Sequence, residues 1–279
     1  MAKKIILSLL TVSLIVLACF HNAVYVNTEQ FQIREEKLVS EKIPNDCDGL
    51  LIAYFSDICL NDFLDAAYID KVTDTINSFD PDVILFGGDL FDSDQMPDQA
   101  SIDHLKKALS DLNAPYGKYA VSGDEDHESY DRVNTLLEEA GFTLINNRTV
   151  LISVNSSSYF NIIGIDSLVN GSPDLNTAFA TTNSSYYSLL VSHCPDIADS
   201  LSAFGGDYLL SGHSRGGQVW FPIIRMFNRP YGARSYYRGK SSKNGLTVDI
   251  TNGLGRKDVD ARFQADAEIV LYTLKSTAE

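Results

Sequence analysis

The chain has 279 residues, 44% of them apolar and 21% charged, enough to bury a large core and too many apolar groups for a disordered, collagen-like or coiled-coil protein. Twenty-two Lys and Arg stand against 37 Asp and Glu, a formal charge of −15, which is not the balance of a general nucleic-acid binder. Four Cys with no CxxC pair are too few for a disulfide scaffold of this size.

Lys3 and Lys4 precede an apolar run from Ile5 to Phe20, broken only by Ser8, Thr11 and Ser13, which is the pattern of an export segment. Three forms fit: a cleaved signal peptide, an uncleaved anchor ending near Tyr25 or Val26, and a lipoprotein signal in which Val16-Leu17-Ala18-Cys19 marks Cys19 for lipidation. A buried N-terminal helix is the remaining alternative. Each of the three forms leaves Lys3 and Lys4 inside and the rest of the chain extracytoplasmic, and an anchor or lipid keeps it at the membrane. The expected organisation is a signal or anchor over residues 1–22, a tether with an edge strand over 23–45, and one α/β domain over 46–279.

From Leu50 the pattern changes. Leu50–Phe55, Asp82–Phe86 and Lys118–Val121 are short apolar runs, each closed by an Asp-containing turn. Between them Ala67, Ile69, Val72, Ile76 and Phe79, then Ile102, Leu105, Ala108, Leu109 and Leu112, recur at helical spacing. Phe160–Ile165, Ser188–Ser192 and Asp207–Leu210 repeat the strand pattern, with a short helix predicted near Asp196 to Phe204. Such runs read as strands covered on both faces, and ligands bind beyond the carboxyl ends of strands in such sheets. Asp57, Asp89, Asp124, His193 and His213 are thereby expected at one end of the sheet. Three gathered carboxylates repel one another and raise each other's pKa, which a cation relieves. Carboxylate with imidazole favours Mn, Fe or Zn over Ca.

In order, FSDICL, GGDLFD, SGDEDHE, VSHCPD and SGHSRGGQV resemble the five motifs of the calcineurin-like metallophosphoesterases, supported by NGLG at Asn252 to Gly255, Arg262-Phe263 and Glu268-Ile269. The resemblance runs from about Gly49 to Leu274 and is nearest the membrane-anchored bacterial branch, whose last motif reads GHTHGGQ. It implies a two-sheet metallophosphoesterase sandwich, a four-layer αββα arrangement, with a two-metal site that hydrolyses phosphomonoesters or phosphodiesters. By position, one metal would take Asp89, Asp124, His193 and His213; the other would take Asp57, Cys59 and Asp89, with Arg215 at the remaining place.

Four positions depart from the family pattern. Cys59 replaces a His and Asp124 an Asn, and both can still ligate. Arg215 replaces the second His of GHTHGGQ, and a guanidinium has no lone pair to give an ion. It is expected to supply the charge of the missing metal by pairing with Asp57 and Asp89. Glu125 stands where the family has the His that assists the leaving group, and an ionised Glu would repel a phosphate; His127, two residues on, is a substitute for that imidazole or a surface His. A disulfide between Cys59 and Cys194 would remove Cys59 as a ligand.

One divalent ion plus Arg215 is therefore expected rather than two ions. Two readings follow: an extracytoplasmic phosphoesterase with an altered site, or a pseudoenzyme that binds a phosphorylated or anionic ligand in the same pocket. Between Arg215 and Lys243 lie seven Lys or Arg, no acid, and Trp220, Phe221, Phe227, Tyr231, Tyr236 and Tyr237. That segment is either a basic, aromatic wall for a phosphate-bearing small molecule or lipid headgroup, or a solvated loop that balances the acidic body.

Overall fold

A computed structural model describes residues 2–221 and 229–278. Six of its strands are the apolar runs that the sequence predicts: β2 (Leu51–Phe55), β3 (Val83–Phe86), β4 (Lys118–Ala120), β7 (Tyr159–Ile165), β8 (Ser188–Ser192) and β9 (Tyr208–Ser211). They belong to two six-stranded sheets. In the first, β1 (Phe31–Ser40) lies at one edge, followed by β12 (Ala267–Ser276), β2, β3, β4 and β5 (Phe142–Leu144). In the second the order is β10 (Gly239–Lys243), β11 (Leu246–Ile250), β9, β8, β7 and β6 (Arg148–Ser153).

Strands β2, β3 and β4 are mutually parallel, as are β7, β8 and β9, so each sheet presents several carboxyl ends together. β12 enters the first sheet antiparallel to β2 and parallel to β1, pairing with β1 over its whole length. The C-terminal strand is thus interior, and β1 lies at the edge.

Between the sheets, Ile52, Tyr54, Leu85, Phe160, Leu189, Leu210 and Tyr272 form one core. On the outer face of the first sheet, Phe55, Phe86 and Ile84 meet α2 (Ala66–Ser78), α3 (Gln99–Ser110) and α4 (Tyr130–Glu139) through Ile69, Ile76, Leu105 and Leu136. Asp65 and Asp98 cap the first two of these helices by accepting the amides of Tyr68 and Ser101, each at 2.7 Å. On the outer face of the second sheet, Ile163, Leu190 and Leu209 meet α5 (Leu175–Phe179) and a 3₁₀ run over Pro195–Ala203, which takes the place of the expected short helix. The four layers are therefore α, β, β and α.

The N-terminal helix α1 (Ala2–His21) continues through a π-helical turn (Asn22–Val26). The span Lys3–Val26 is long and apolar enough to cross a membrane, and apart from Ala23 at its end it is not buried in the domain. The alternative of a buried N-terminal helix is overturned by that exposure: Leu7 and Leu14 are each 66% exposed. The stretch read as a tether is bound at its start. Arg262 donates its amide to Ala23 O at 2.9 Å, and the Arg256 guanidinium donates to Thr28 O at 2.5 Å.

Leu105 is fully buried in the helical layer, away from the strand ends. Leu105→Ala should lower the unfolding free energy by about 2–5 kcal/mol, read by chemical denaturation, with metal uptake unchanged.

Candidate functional site

Backbone geometry at the strand ends is unusual and shared. Asp57 (φ 53°), Cys59 (φ 43°), Asp89 (φ 59°), His213 (φ 68°) and Arg215 (φ 50°) all lie in the left-handed region, which costs a side-chain-bearing residue roughly 1–3 kcal/mol. Hydrogen bonds hold them there. Asp57 N donates to Gly88 O at 2.8 Å and Cys59 N to Asp89 O at 2.9 Å, so the turns after β2 and β3 run side by side. The Asp57 carboxylate accepts His213 N at 3.0 Å, tying the first sheet's turn to the second sheet's. Asp126 accepts the amides of Asp89 (2.9 Å), Leu90 (2.8 Å) and Gly123 (2.8 Å). At Gly123 a Cβ would stand 2.1 Å from Asp89 Oδ1, so only glycine leaves that carboxylate its place.

Asp89, Asp124, His193 and His213 meet where the two sheets' carboxyl ends converge, each offering a donor atom within 4.8 Å of the others. His193 Nε2 is 3.1 Å from both Asp89 Oδ2 and Asp124 Oδ1, and His213 Nδ1 is 2.8 Å from Asp124 Oδ1. His193 Nδ1 faces Gly87 O at 2.7 Å and His213 Nε2 faces Tyr231 O at 2.8 Å. A carbonyl only accepts, so those outer nitrogens carry protons and the inward ones are left facing the carboxylates, the orientation found at metal-ligating imidazoles. His193 Nε2 and Asp124 Oδ1 are buried and, despite their proximity, have no aligned hydrogen-bond partner. Two carboxylates and two imidazoles within this reach, with His193 Nε2 and Asp124 Oδ1 orphaned, fit a divalent ion of the Mn, Fe or Zn kind.

The charges are balanced by protons in the metal-free protein. Burial, with the charges of Asp124 and Asp57, pushes Asp89 up to about 7, against the pull of His193. Burial also opposes the charge of Asp124, yet His193 and His213 hold it well below the usual carboxylate range. His193 is buried too, and Asp89 and Asp124 raise it well above its ordinary value regardless.

Asp57, Cys59 and Asp89 form a second cluster. Here the expected pairing of Arg215 is corrected. Arg215 Nη1 donates to Cys59 Sγ at 3.6 Å, and among the described residues no ion pair joins it directly to Asp57 or Asp89; Asp57 accepts instead from His213 N and the Ser56 hydroxyl. Burial pushes the Cys59 thiol well up, with Arg215 pulling the other way. Cys59 and Cys194 are both free, so the disulfide alternative falls. Cys194 instead packs 3.7 Å from Ser167 Oγ.

Glu125 and His127 differ more from expectation. The Glu125 carboxylate pairs with the Lys257 ammonium and accepts from the Ser93 hydroxyl, so its charge is compensated and does not confront a phosphate alone. His127 Nε2 lies 2.9 Å from Asp166, its ring stacked on Tyr130 at 5.0 Å, outside both donor clusters. Lys257 is the residue that sequence reasoning missed, whereas Asp126 stands by position where the family has the acid that supports its catalytic His. Asp126 carried a signal, its place in SGDEDHE, whereas Lys257 carried none, since its partner lies 132 positions away.

Of the basic segment, Arg229 stacks on Tyr237 at 3.8 Å and Arg238 on Trp220 at 4.6 Å, while Lys240 pairs with Glu36 and Lys243 with Asp199. Arg225 and Phe227 lie outside the described residues. A cleft of about 340 Å³ opens beside the site between His213, Arg215, Gln218, Pro230, Lys257 and Val259. A larger one of about 480 Å³ lies at the foot of α1, near Tyr25, Phe63 and Arg256, and touches none of the strand-end ligands.

No family model matches the chain. It is 33% identical over 261 residues to the uncharacterized metallophosphoesterase YkuE of Bacillus subtilis, covering 91% of this chain and 88% of that protein. It is 28% identical over 270 residues to the uncharacterized metallophosphoesterase Cj0846 of Campylobacter jejuni, covering 94% and 69%. It is 26% identical over 229 residues to the UDP-2,3-diacylglucosamine pyrophosphatase LpxG of Chlamydia muridarum, covering 64% and 68%. Among solved structures, the calcineurin-like phosphoesterase YfkN of Bacillus subtilis aligns over 81% of this chain and 91% of its own, at 15% identity and a TM-score of 0.45.

Ions that bind this cluster must displace protons from His193 and Asp89. Apparent affinity for Mn²⁺ or Zn²⁺ should therefore climb as pH rises through about 7, with protons released on binding, as read by calorimetry in buffers of different ionisation enthalpy.

Proposed function

The chain belongs to the metallophosphoesterase family, and from that premise we propose that it is an extracytoplasmic phosphoesterase, carried at a membrane by α1, that cleaves a phosphate ester or anhydride through one divalent ion beside Arg215. The observation that carries this proposal is the convergence of Asp89, Asp124, His193 and His213, two from each sheet, with His193 Nε2 and Asp124 Oδ1 unpartnered. These four side chains would hold the ion. When bound, it supplies Lewis acidity at a phosphoryl oxygen and lowers the pKa of water toward neutrality.

The remaining work falls to residues of the chain. Gly87 O and Tyr231 O fix the two imidazoles by accepting their outer N–H groups. Arg215, fixed in charge and seated on Cys59 at the cleft wall, faces charge that develops on a phosphoryl group. With Glu125, held by Lys257, in place of an imidazole, that position offers no imidazolium to protonate a departing alkoxide. Leaving groups that are stable anions, such as aryl oxides or phosphates, are therefore favoured. The LpxG relative, named for a pyrophosphatase of a lipid-linked sugar nucleotide, supports a phosphate-bearing lipid as the natural substrate class, and α1 supports a place for it at a membrane.

Arg215 and Glu125 favour one second reading, a pocket that binds a phosphorylated or anionic ligand without cleaving it. Turnover of bis-p-nitrophenyl phosphate with added Mn²⁺ or Zn²⁺ decides between the two. Activity that falls by at least about 100-fold in Asp89→Ala supports hydrolysis. No turnover with any metal, together with saturable phosphate binding, supports the second reading. Restoring the family residues as Cys59→His with Arg215→His should raise the metal content from one equivalent to two.

A further inference from the structure

We propose that Lys257 is the phosphate-recognising cation of this site, with Glu125 as the side chain that holds its ammonium at the cleft. The inference rests on the phosphate-handling function above and adds the residue that selects the phosphoryl group. Nζ of Lys257 pairs with Glu125 and lies 2.9 Å from Asp94 Oδ2 and 3.7 Å from Asp92 Oδ1. An ammonium has three donors, and at most two of these partners are within hydrogen-bond distance. One donor remains for a ligand oxygen.

The main chain of Lys257 is held as tightly as its side chain. Lys257 N donates to Gln218 Oε1 at 3.1 Å, and Gln218 Nε2 donates back to Lys257 O at 3.0 Å. Gln218 closes the turn that begins at His213 and Arg215, and its own backbone is left-handed, with φ 52°. A side-chain amide spent on both sides of one residue locks the position of Lys257 to the loop that carries a metal ligand and the guanidinium. Two residues upstream, Gly255 N donates to Asp57 O at 2.6 Å, which ties the same loop to the first sheet. His213, Arg215, Gln218 and Lys257 then line one cleft.

Charge makes such a cation necessary. Asp57, Asp89, Asp92, Asp94, Asp124 and Glu125 crowd this end of a chain whose net charge is already −15, and a phosphate entering it meets repulsion. Arg215 is engaged with Cys59. The Lys257 side chain is only about 10% exposed, so its charge acts in a medium far less screening than water. A half-buried ammonium with a free donor, lining the same cleft as a fixed guanidinium, matches the three-oxygen face of a phosphoryl group. Glu125, occupying the position of the family's imidazole, becomes a tether for this lysine and a competitor for its charge.

A purely structural ion pair and a ligand-binding lysine respond differently to losing each half. If the pair is structural, Lys257→Ala and Glu125→Gln shift phosphate binding in the same direction. If Lys257 binds phosphate, the two substitutions shift it in opposite directions. The test uses the full-length, metal-loaded protein in detergent and titrates inorganic phosphate by calorimetry, with bis-p-nitrophenyl phosphate kinetics alongside. Lys257→Ala should weaken phosphate binding and raise KM about 10-fold to 100-fold with metal content unchanged, Lys257→Arg should restore most of the loss, and Glu125→Gln should tighten binding. Binding unaltered in Lys257→Ala, or weakened equally in Glu125→Gln, would overturn the proposal. Because phosphate binding is read without turnover, a protein that hydrolyses nothing defeats the phosphoesterase function while leaving the role of Lys257 to be decided by the same titration.

Discussion

Repulsion among carboxylates is the constraint around which this end of the molecule is built. Asp57, Asp89 and Asp124 are brought together by parallel strands whose carboxyl ends share one direction. Two charges about 4 Å apart repel by about 4 kcal/mol at an effective dielectric near 20. Each carboxylate is countered by a different device: His213 N and Ser56 for Asp57, the imidazoles of His193 and His213 for Asp124, and His193 with partial neutralisation for Asp89. Asp126 adds no further charge problem to the cluster, because it is spent on three amides and staples the turn after β3 to the turn after β4.

The two halves of the site are unequal for a chemical reason. On one side, two imidazoles and two carboxylates converge with His193 Nε2 and Asp124 Oδ1 left without partners, a set that suits a divalent ion. On the other, a guanidinium sits against the Cys59 thiol, where a cation that can never ligate takes the space. Because Lys257 and Arg215 line the same cleft, an entering phosphate would meet two cationic side chains besides the ion. Selectivity in such an arrangement would come from charge number and geometry, while the rate would depend on how little help a leaving group needs.

Much of this was legible in the sequence where the signal is local. Short apolar runs ending in Asp or His mark β2, β3, β4, β8 and β9, because a strand buried on both faces must be apolar throughout and stop abruptly at a polar turn. The ordered motifs supply the pairing of distant strand ends that periodicity does not. By contrast, β12 has an apolar run that no local feature assigns to the middle of the first sheet, since strand order is decided by tertiary pairing. Side-chain partners across long separations were also illegible. Asp57 and Cys59 stand almost equally far from Arg215 in the sequence, and only the folded structure shows that the guanidinium donates to the thiol while Asp57 accepts from His213 N. Glu125 looked repulsive to phosphate because its partner Lys257 lies in another loop.

The most direct test of the central claim is anomalous diffraction at the absorption edge of the metal from crystals grown with Mn²⁺ or Zn²⁺. A single strong peak bounded by Asp89, Asp124, His193 and His213, with Arg215 still resting on Cys59, is the predicted result. A peak between Asp57 and Cys59, two peaks of similar height, or none at the four-residue cluster would contradict it.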